Sequence, residues 1–202
     1  MLLIINLFLF LSIIIILFLI NFYRDPERKI PEGNNIVSPA DGKIINIIDT
    51  KDDEVKIKKG LFGKIKTIAK DIANDCYVVS IFMSPLDVHV NRAPISGIVK
   101  STKYSKGKFF EAYDFEKSLE NEKNEIIIQN KKIKIKVIQI SGFLARRIKC
   151  NIKKNQKVNK GQRIGMIVLG SQATLVIPKK VVLKVKLNER VKAGETVIAD
   201  LR

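Results

Sequence analysis

Residues 132–140, KIKIKVIQI, largely alternate Lys or Gln with Ile and Val. Successive side chains of a β-strand point to opposite faces of the sheet, so this pattern predicts a strand with one buried and one solvated face. Residues 181–187, VVLKVKL, show the same alternation. Short Val and Ile runs separated by Gly, Asn and Asp turns continue it from Asn34 onward, and together they predict a mainly β domain.

Two stretches have helical rather than alternating spacing. Residues 61–74, LFGKIKTIAKDIAN, are amphipathic, and a weaker pattern lies near residues 109–119. The first stretch could lie in a membrane interface or pack on the β domain with its lysines in water, and the sequence leaves both readings open. We therefore expect an α+β domain with one or two helices.

Two pairs of segments echo each other within the β domain. PADGKIINI (39–47) is similar to PISGIVKST (94–102), and QKVNKGQRIGMI (156–167) is similar to ERVKAGETVIADL (189–201). Hairpins of the form V-x-x-G-x-x-[IV] resemble those of lipoyl and biotinyl carrier domains. They predict a barrel-sandwich-like fold but say little about function.

The N-terminal segment is apolar and uncharged over residues 2–22, a length sufficient for one membrane crossing of ~20 residues. It lacks the basic start and the small-residue cleavage site of a secretory signal peptide, so residues 1–23 are predicted to be a retained membrane anchor. A helix lying in the interface or packed on the domain is the alternative. Basic residues follow the run and none precedes it, which predicts a domain at the cell membrane facing the cytoplasm. These residues are Arg24, Arg28 and Lys29.

Composition narrows the function classes. The chain of 202 residues has 37 Lys and Arg against 20 Asp and Glu, a net charge of +17, and 46% hydrophobic residues. That apolar share excludes a disordered chain. Cys76 and Cys150 are far apart in sequence, which argues against a disulfide scaffold or a zinc module, and no metal is expected. The apolar N-terminus and the lack of a recognisable aromatic-basic motif argue against nucleic-acid binding.

His89 is the single histidine of the chain. No other side chain has an ordinary pKa near neutrality, so proton transfer falls most naturally to it. It lies in SPLDVHVNRAP (84–94), where alternation places it on one face with Asp87 and Asn91. Taken alone, a structural histidine is an equally good interpretation.

Gly170 and Ser171 lie between two apolar runs in GMIVLGSQATLVIP (165–178). An ordinary turn explains this pair, although a glycine before a serine also permits a strained backbone from which self-cleavage can start. Asp41, in SPADGKI (38–44), is equally consistent with a simple Asp-Gly turn.

Taken together, these signals match one family. The chain resembles phosphatidylserine decarboxylase proenzymes of the short, pyruvoyl-dependent form, from about Phe22 to its end. Gln172 departs from the family pattern, which usually has Thr, Ser or Arg after the Gly-Ser pair. The matching segments, in the family's order, are FYRDPERKIP (22–31), VSPADGKI (37–44), IFMSPLDVHVNRAPISG (81–97), LENEKN (119–124), ISGFLARRI (140–148) and KGQRIGMIVLGSQ (160–172).

The resemblance implies that residues 24–202 form a decarboxylase domain that cuts itself between Gly170 and Ser171. The products would be chains of residues 1–170 and 171–202 that stay together as a heterodimer, with further association of protomers left open. Ser171 would become a pyruvoyl group, the covalently derived cofactor.

The resemblance also assigns roles in the chemistry. His89 is implied as the base that activates Ser171, oriented by Asp41 as in hydrolase triads, while Asp87 is a competing orienter that spacing alone cannot exclude. The finished enzyme is implied to form a Schiff base with phosphatidylserine, release carbon dioxide and yield phosphatidylethanolamine in phospholipid biosynthesis. Arg146 and Arg147 are candidates for holding the lipid phosphate, and the basic surface would favour anionic membrane lipids.

Three other functions stay open at this point. A membrane-tethered, non-enzymatic adaptor would be an uncut chain that tolerates replacement of His89. A serine hydrolase would keep a free Ser171. A decarboxylase of another phosphoserine lipid, such as archaetidylserine, would keep the chemistry and change the substrate.

Overall fold

Strands are the main regular structure of the chain after the N-terminal helix, as the alternating patterns predict. The structure is a computed structural model that describes residues 1–51, 64–65, 67–108, 110–142, 147–168 and 171–201. The elements are α1 (Leu2–Phe22), β1 (Asn35–Val37), β2 (Gly42–Asp49), β3 (Cys76–Met83), β4 (Val90–Arg92), β5 (Gly97–Ser105), α2 (Phe115–Ser118), β6 (Lys123–Gln129), β7 (Lys134–Ile140), β8 (Ile148–Cys150), β9 (Lys157–Val158), β10 (Arg163–Ile167), β11 (Ser171–Pro178), β12 (Val181–Leu183), β13 (Arg190–Val191) and β14 (Val197–Leu201).

The strands form one large sheet and two small ones. The large sheet has eight strands in the order β13-β2-β3-β11-β7-β6-β5-β9, and the small ones have the orders β1-β14-β12 and β4-β10-β8. Strand β11 lies inside the large sheet, antiparallel to β3 and to β7, with Ser171 opposite Met83. All eight residues of β11 are buried. The prediction of a mainly β fold with few helices and an apolar N-terminal helix is confirmed.

Strand lengths differ in part from the sequence predictions. The alternating stretch 132–140 contains β7, but only residues 181–183 of the stretch 181–187 form a strand. The chain turns there, because the Lys186 backbone N–H donates to the Glu189 carboxylate at 2.9 Å and Asn188 has a positive φ of 68°.

The predicted helix at 61–74 lies partly outside the described residues, and its residues 64–65 and 67–69 are helical. Ile65 and Ile68 are buried in a cluster that also contains Phe115 of α2, so the described part packs on the sheet. The helix predicted near 109–119 is reduced to α2, and residue 109 is not described.

The echoing segments are related in structure as they are in sequence. Gly161 and Gly194 both have φ of 78°, in the left-handed region that favours glycine, and Asn155 and Asn188 before them have φ of 69° and 68°. Their partners match as well. The backbone N–H of Gly161 donates to the Ala93 carbonyl, and that of Gly194 donates to the Ser38 carbonyl, each at 2.8 Å. The two hairpins therefore occupy equivalent positions in the fold.

Helix α1 is exposed along most of its length, and Phe22 is its only buried residue. It is long and apolar enough to cross a membrane by length and composition. Its last turn and the residues after it contact the β domain through Phe22 and Arg24, next to the site described below.

Candidate active site

His89 lies beside the end of β10, the strand that precedes Ser171 in the chain. His89 lies just before β4, and its carbonyl accepts a hydrogen bond from the backbone N–H of Ile167 at 3.3 Å. Ile167 ends β10 and Ser171 begins β11. Four positions separate these two residues, so even an extended chain keeps their Cα atoms within about 14 Å.

His89 Nε2 and Ser171 Oγ are buried and have no hydrogen-bond partner among the described residues. His89 Nε2 and Ser171 Oγ share this state with only Arg28 Nε among the buried side-chain atoms of the described residues. Leaving a buried polar group unpaired costs about 1–3 kcal/mol, so such groups need a reason. Two of the three atoms belong to His89 and Ser171, the base and the nucleophile implied by the family resemblance. A nucleophile and a base without other hydrogen bonds are free to react.

The environment of His89 fixes its tautomer and keeps it neutral. Its Nδ1 lies 2.8 Å from the main-chain oxygen of Asp87. A carbonyl can only accept, so Nδ1 carries the proton and Nε2 of the neutral ring has a free lone pair. Burial lowers the pKa of His89 below its ordinary value, although the bond to Asp87 opposes this shift. His89 therefore has the protonation state of a general base at neutral pH.

Part of that burial comes from the N-terminal helix. The ring of Phe22 lies over the ring of His89, with 4.3 Å between their centroids. Sequence reasoning did not assign Phe22 a role, although it is the first residue of the FYRDPERKIP segment.

Asp41 is held by groups other than His89. Its carboxylate accepts two hydrogen bonds from the Arg28 guanidinium, at 2.8 and 3.0 Å, and one from the backbone N–H of Ala193 at 2.7 Å. No bond between Asp41 and His89 occurs in the described part of the chain, so the orienting role of Asp41 stays a prediction.

The bond to Ala193 has a counterpart in the second hairpin. Ser96 Oγ accepts from the Lys160 backbone N–H at 2.8 Å, at the position that corresponds to Asp41 in the echoing segment. The equivalent bond in the second hairpin is accepted by the neutral hydroxyl of Ser96, so this bond does not require a charge. Asp41 therefore stabilises its turn in addition to carrying a charge.

Asp87 contacts His89 through its main chain. Its carboxylate instead accepts from the Ser84 backbone N–H at 2.8 Å, from Ser84 Oγ at 2.7 Å and from Arg190 at 2.6 Å. These bonds hold the loop before β4 in place, and the loop in turn presents the Asp87 carbonyl to the His89 ring.

A buried polar network flanks Ser171 on β11. Gln172 Oε1 accepts from Ser118 Oγ at 3.1 Å, and Gln172 Nε2 donates to Thr174 Oγ1 at 2.8 Å. Thr174 in turn shares a bond of 3.1 Å with Ser80 on β3. The network links the residue after Ser171 to α2, a contact that the sequence did not reveal.

The remaining predicted site residues are placed in part. Gly170 and Arg146 lie outside the described residues. Arg147 is exposed, and its carbonyl accepts from the Val168 backbone N–H at 3.0 Å, three positions before Ser171. Within the described ranges, no cluster of three or more His, Cys, Asp or Glu residues could hold a metal ion.

Comparison with known proteins agrees with these observations. The family model described as phosphatidylserine decarboxylase matches residues 15–199. The putative archaetidylserine decarboxylase proenzyme of Methanocaldococcus jannaschii is 45% identical over 186 residues, which are 92% of this chain and 90% of that protein. The phosphatidylserine decarboxylase proenzyme of Chlorobaculum tepidum is 42% identical over 184 residues, 91% of this chain and 77% of that protein. That of Chlorobium limicola is 40% identical over 192 residues, 95% and 82% of the two chains. With its Gly-Ser segment and its buried histidine in a mainly β fold, the chain belongs to the phosphatidylserine decarboxylase family of lyases.

Proposed function

We propose that the chain is a proenzyme that cleaves itself between Gly170 and Ser171 and then decarboxylates phosphatidylserine to phosphatidylethanolamine. The observation that carries this proposal is the pair of buried, unpartnered atoms, Ser171 Oγ and His89 Nε2. Family membership supplies the reaction class, and these two atoms supply a nucleophile and a base to begin it.

Self-cleavage starts with proton transfer from the Ser171 hydroxyl to His89 Nε2. The hydroxyl oxygen attacks the Gly170 carbonyl, so that an ester replaces the amide between the two residues. Removal of the Ser171 Cα proton then breaks its Cβ–Oγ bond and releases a Gly170 carboxylate. The dehydroalanine left at position 171 takes up one water and loses one ammonia, which yields the pyruvoyl group.

The surroundings of Ser171 fit such a group. Ser171 is fully buried at the head of β11, and its side-chain oxygen accepts or donates no hydrogen bond within the described residues. When present, a pyruvoyl group supplies a carbonyl that withdraws electrons during loss of carbon dioxide. In this proposal His89 then holds a proton at Nε2 and returns it to the reacting carbon.

The two cleavage products are expected to stay associated. Residues 171–202 contribute β11 to the interior of the large sheet, where it pairs with β3 and β7 of the other product. They also contribute β13, which pairs with β2, and β14, which pairs with β1. Separation would require breaking these four strand pairings and exposing the buried residues of β11.

Helix α1 supports a location at the membrane. We propose that it spans the bilayer with the domain on the cytoplasmic side, because basic residues follow the helix. Each Lys or Arg near an anionic surface contributes on the order of 1 kcal/mol of attraction, and the chain has an excess of them. Arg146 and Arg147 are proposed to bind the phosphate of the substrate.

Archaetidylserine is the second candidate substrate. The observation that favours it is the 45% identity with the Methanocaldococcus jannaschii protein over 90% of that protein's length. The reacting serine headgroup is common to both lipids, so the two candidates differ in the lipid backbone alone.

An intact-mass spectrum of the denatured, purified chain tests the proposal. Two chains ending at Gly170 and beginning at position 171 are expected, the second lighter by one ammonia than a fragment with an unmodified serine terminus. The Ser171→Ala variant is expected to stay whole. A wild-type chain that stays uncut would instead support the adaptor or the hydrolase.

A decarboxylation assay then identifies the substrate. Carbon dioxide release is measured with vesicles of phosphatidylserine and with vesicles of the ether-linked analogue. A cut protein that releases none from either lipid would overturn the proposed activity while leaving the self-cleavage intact.

A further inference from the structure

Phe22 joins the membrane helix to the candidate base. It is 1% exposed, and its ring lies 4.3 Å from the His89 ring with 39° between the two planes. The remaining residues of α1 are not buried, so the one buried side chain of the helix is the one that contacts His89. That selectivity indicates a role beyond anchoring.

A second contact ties the end of α1 to the same loop. The Arg24 guanidinium donates to the Asn21 main-chain oxygen and to Asn21 Oδ1, both at 2.6 Å, and to the Leu86 carbonyl at 2.6 Å. Leu86 is 67% exposed, so its side chain packs little against the rest of the domain. The loop that carries His89 is therefore bound to the helix by a ring contact and by a charged hydrogen-bonding group.

We infer that the last turn of α1 is part of the active site, with Phe22 acting as a positioning residue that holds the His89 ring and excludes water from it. The inference rests on the proposed function and extends it. His89 Nε2 has no hydrogen-bond partner in the part of the chain that the structure describes, so the ring's plane is set by the Nδ1 contact with Asp87 and by packing against Phe22. A chain whose anchor is not seated on the domain would have a poorly held base.

The charged groups facing His89 determine how its titration would respond. Burial is the largest cause and lowers the pKa of His89. Asp87 raises this pKa, and Arg24 lowers it further. Arg190 pairs with the Asp87 carboxylate. Removing the Phe22 ring weakens the burial and leaves these charges in place, so the pKa of His89 would rise toward its ordinary value.

The test uses the full-length chain in lipid vesicles and follows appearance of the 171–202 fragment over a range of pH. Phe22→Ala is expected to slow cleavage about tenfold or more at neutral pH, since a well-placed general base contributes on the order of 10²–10⁴ in rate. The acid limb of its pH–rate profile is expected to move to higher pH. Phe10→Ala is the matched control, because Phe10 is an exposed residue of the same helix.

Equal rates and superimposed profiles for Phe22→Ala and Phe10→Ala would overturn the inference. If Phe22→Ala does not fold, Phe22→Leu gives the same measurement with an apolar side chain retained, and a wild-type profile for it would likewise overturn the inference. Failure of the proposed function is distinct, because the wild-type chain itself would then stay uncut.

Discussion

Ser118 and Gln172 are joined by a hydrogen bond of 3.1 Å between two fully buried side chains. The bond links α2 to the second residue of β11, next to Ser171. The Gln172 side chain reaches across from β11 to accept this bond from the Ser118 hydroxyl. Gln172 thus stabilises the start of β11 through hydrogen bonds that do not involve Ser171.

Replacing Gln172 with Met is expected to lower the free energy of unfolding by about 1–3 kcal/mol, because a side chain of similar size loses two buried hydrogen bonds. Urea denaturation of the uncut Ser171→Ala protein measures this without interference from cleavage. Gln129→Met, at a half-exposed position of β6, is the control and is expected to change stability less. Equal stability of the two variants would contradict the role of the network.

Stability is expected to fall on acidification because of His89. Its ordinary pKa is 6.5 and the folded protein lowers it, so the unfolded chain binds the proton more readily. The stability that the neutral ring contributes is present above pH 6.5 and is lost as the pH falls through the lower, folded pKa.

Urea denaturation in the Ser171→Ala background at several pH values checks this prediction. The chain with His89 is expected to lose more stability between about pH 7.5 and about pH 5 than the His89→Gln variant, whose side chain does not titrate. Parallel curves would mean that folding does not lower the pKa of His89.

Asp41 and Ser96 provide a matched pair for testing the orienting role. Asp41→Asn keeps an oxygen for the Ala193 N–H and removes the charge beside Arg28, whereas Ser96→Ala removes the equivalent turn bond to Lys160. If Asp41 assists His89, its variant slows self-cleavage by about 10²-fold or more while the Ser96 variant cuts normally. The fragment yield over time measures both rates.

Normal cutting in both variants would confine Asp41 to a structural role. Equal slowing in both would mean that the effect is not specific to the charge of Asp41, because Ser96→Ala removes no charge.

Arg147 is expected to contribute to lipid binding in the cut enzyme. Arg147→Ala should complete self-cleavage and raise KM for the lipid by about tenfold or more, as loss of a charge-assisted hydrogen bond of about 1.5–3 kcal/mol requires. Lys149→Ala removes an exposed positive charge two positions away and is the control for general attraction to the membrane. An equal change of KM in both variants would argue against a specific phosphate contact.

The sequence predicts the features that depend on local pattern. Alternation locates β7, the uncharged run locates α1, and the Gly-turn echo anticipates the matching conformations of Gly161 and Gly194. These succeed because periodicity and backbone conformation are set by neighbouring residues.

Features that depend on distant contacts are not accessible in the same way. Phe22 meets His89 across 67 positions, and only the packing of α1 on the β4 side of the domain brings them together. Asp41 could pair with a histidine or with an arginine on sequence grounds, and in the folded chain Arg28 is the partner. Specific partners of polar groups follow from tertiary structure, which spacing along a chain does not determine.

The placement of Ser171 at the buried head of β11 also decides which molecules a reactive carbonyl there can meet. Amines are abundant in a cell, on lysine side chains and on free amino acids, and a surface carbonyl would combine with them indiscriminately. A carbonyl formed there would be shielded from all of these, because Ser171 is fully buried. Chemical selectivity is thereby achieved through access, before any recognition of the substrate begins.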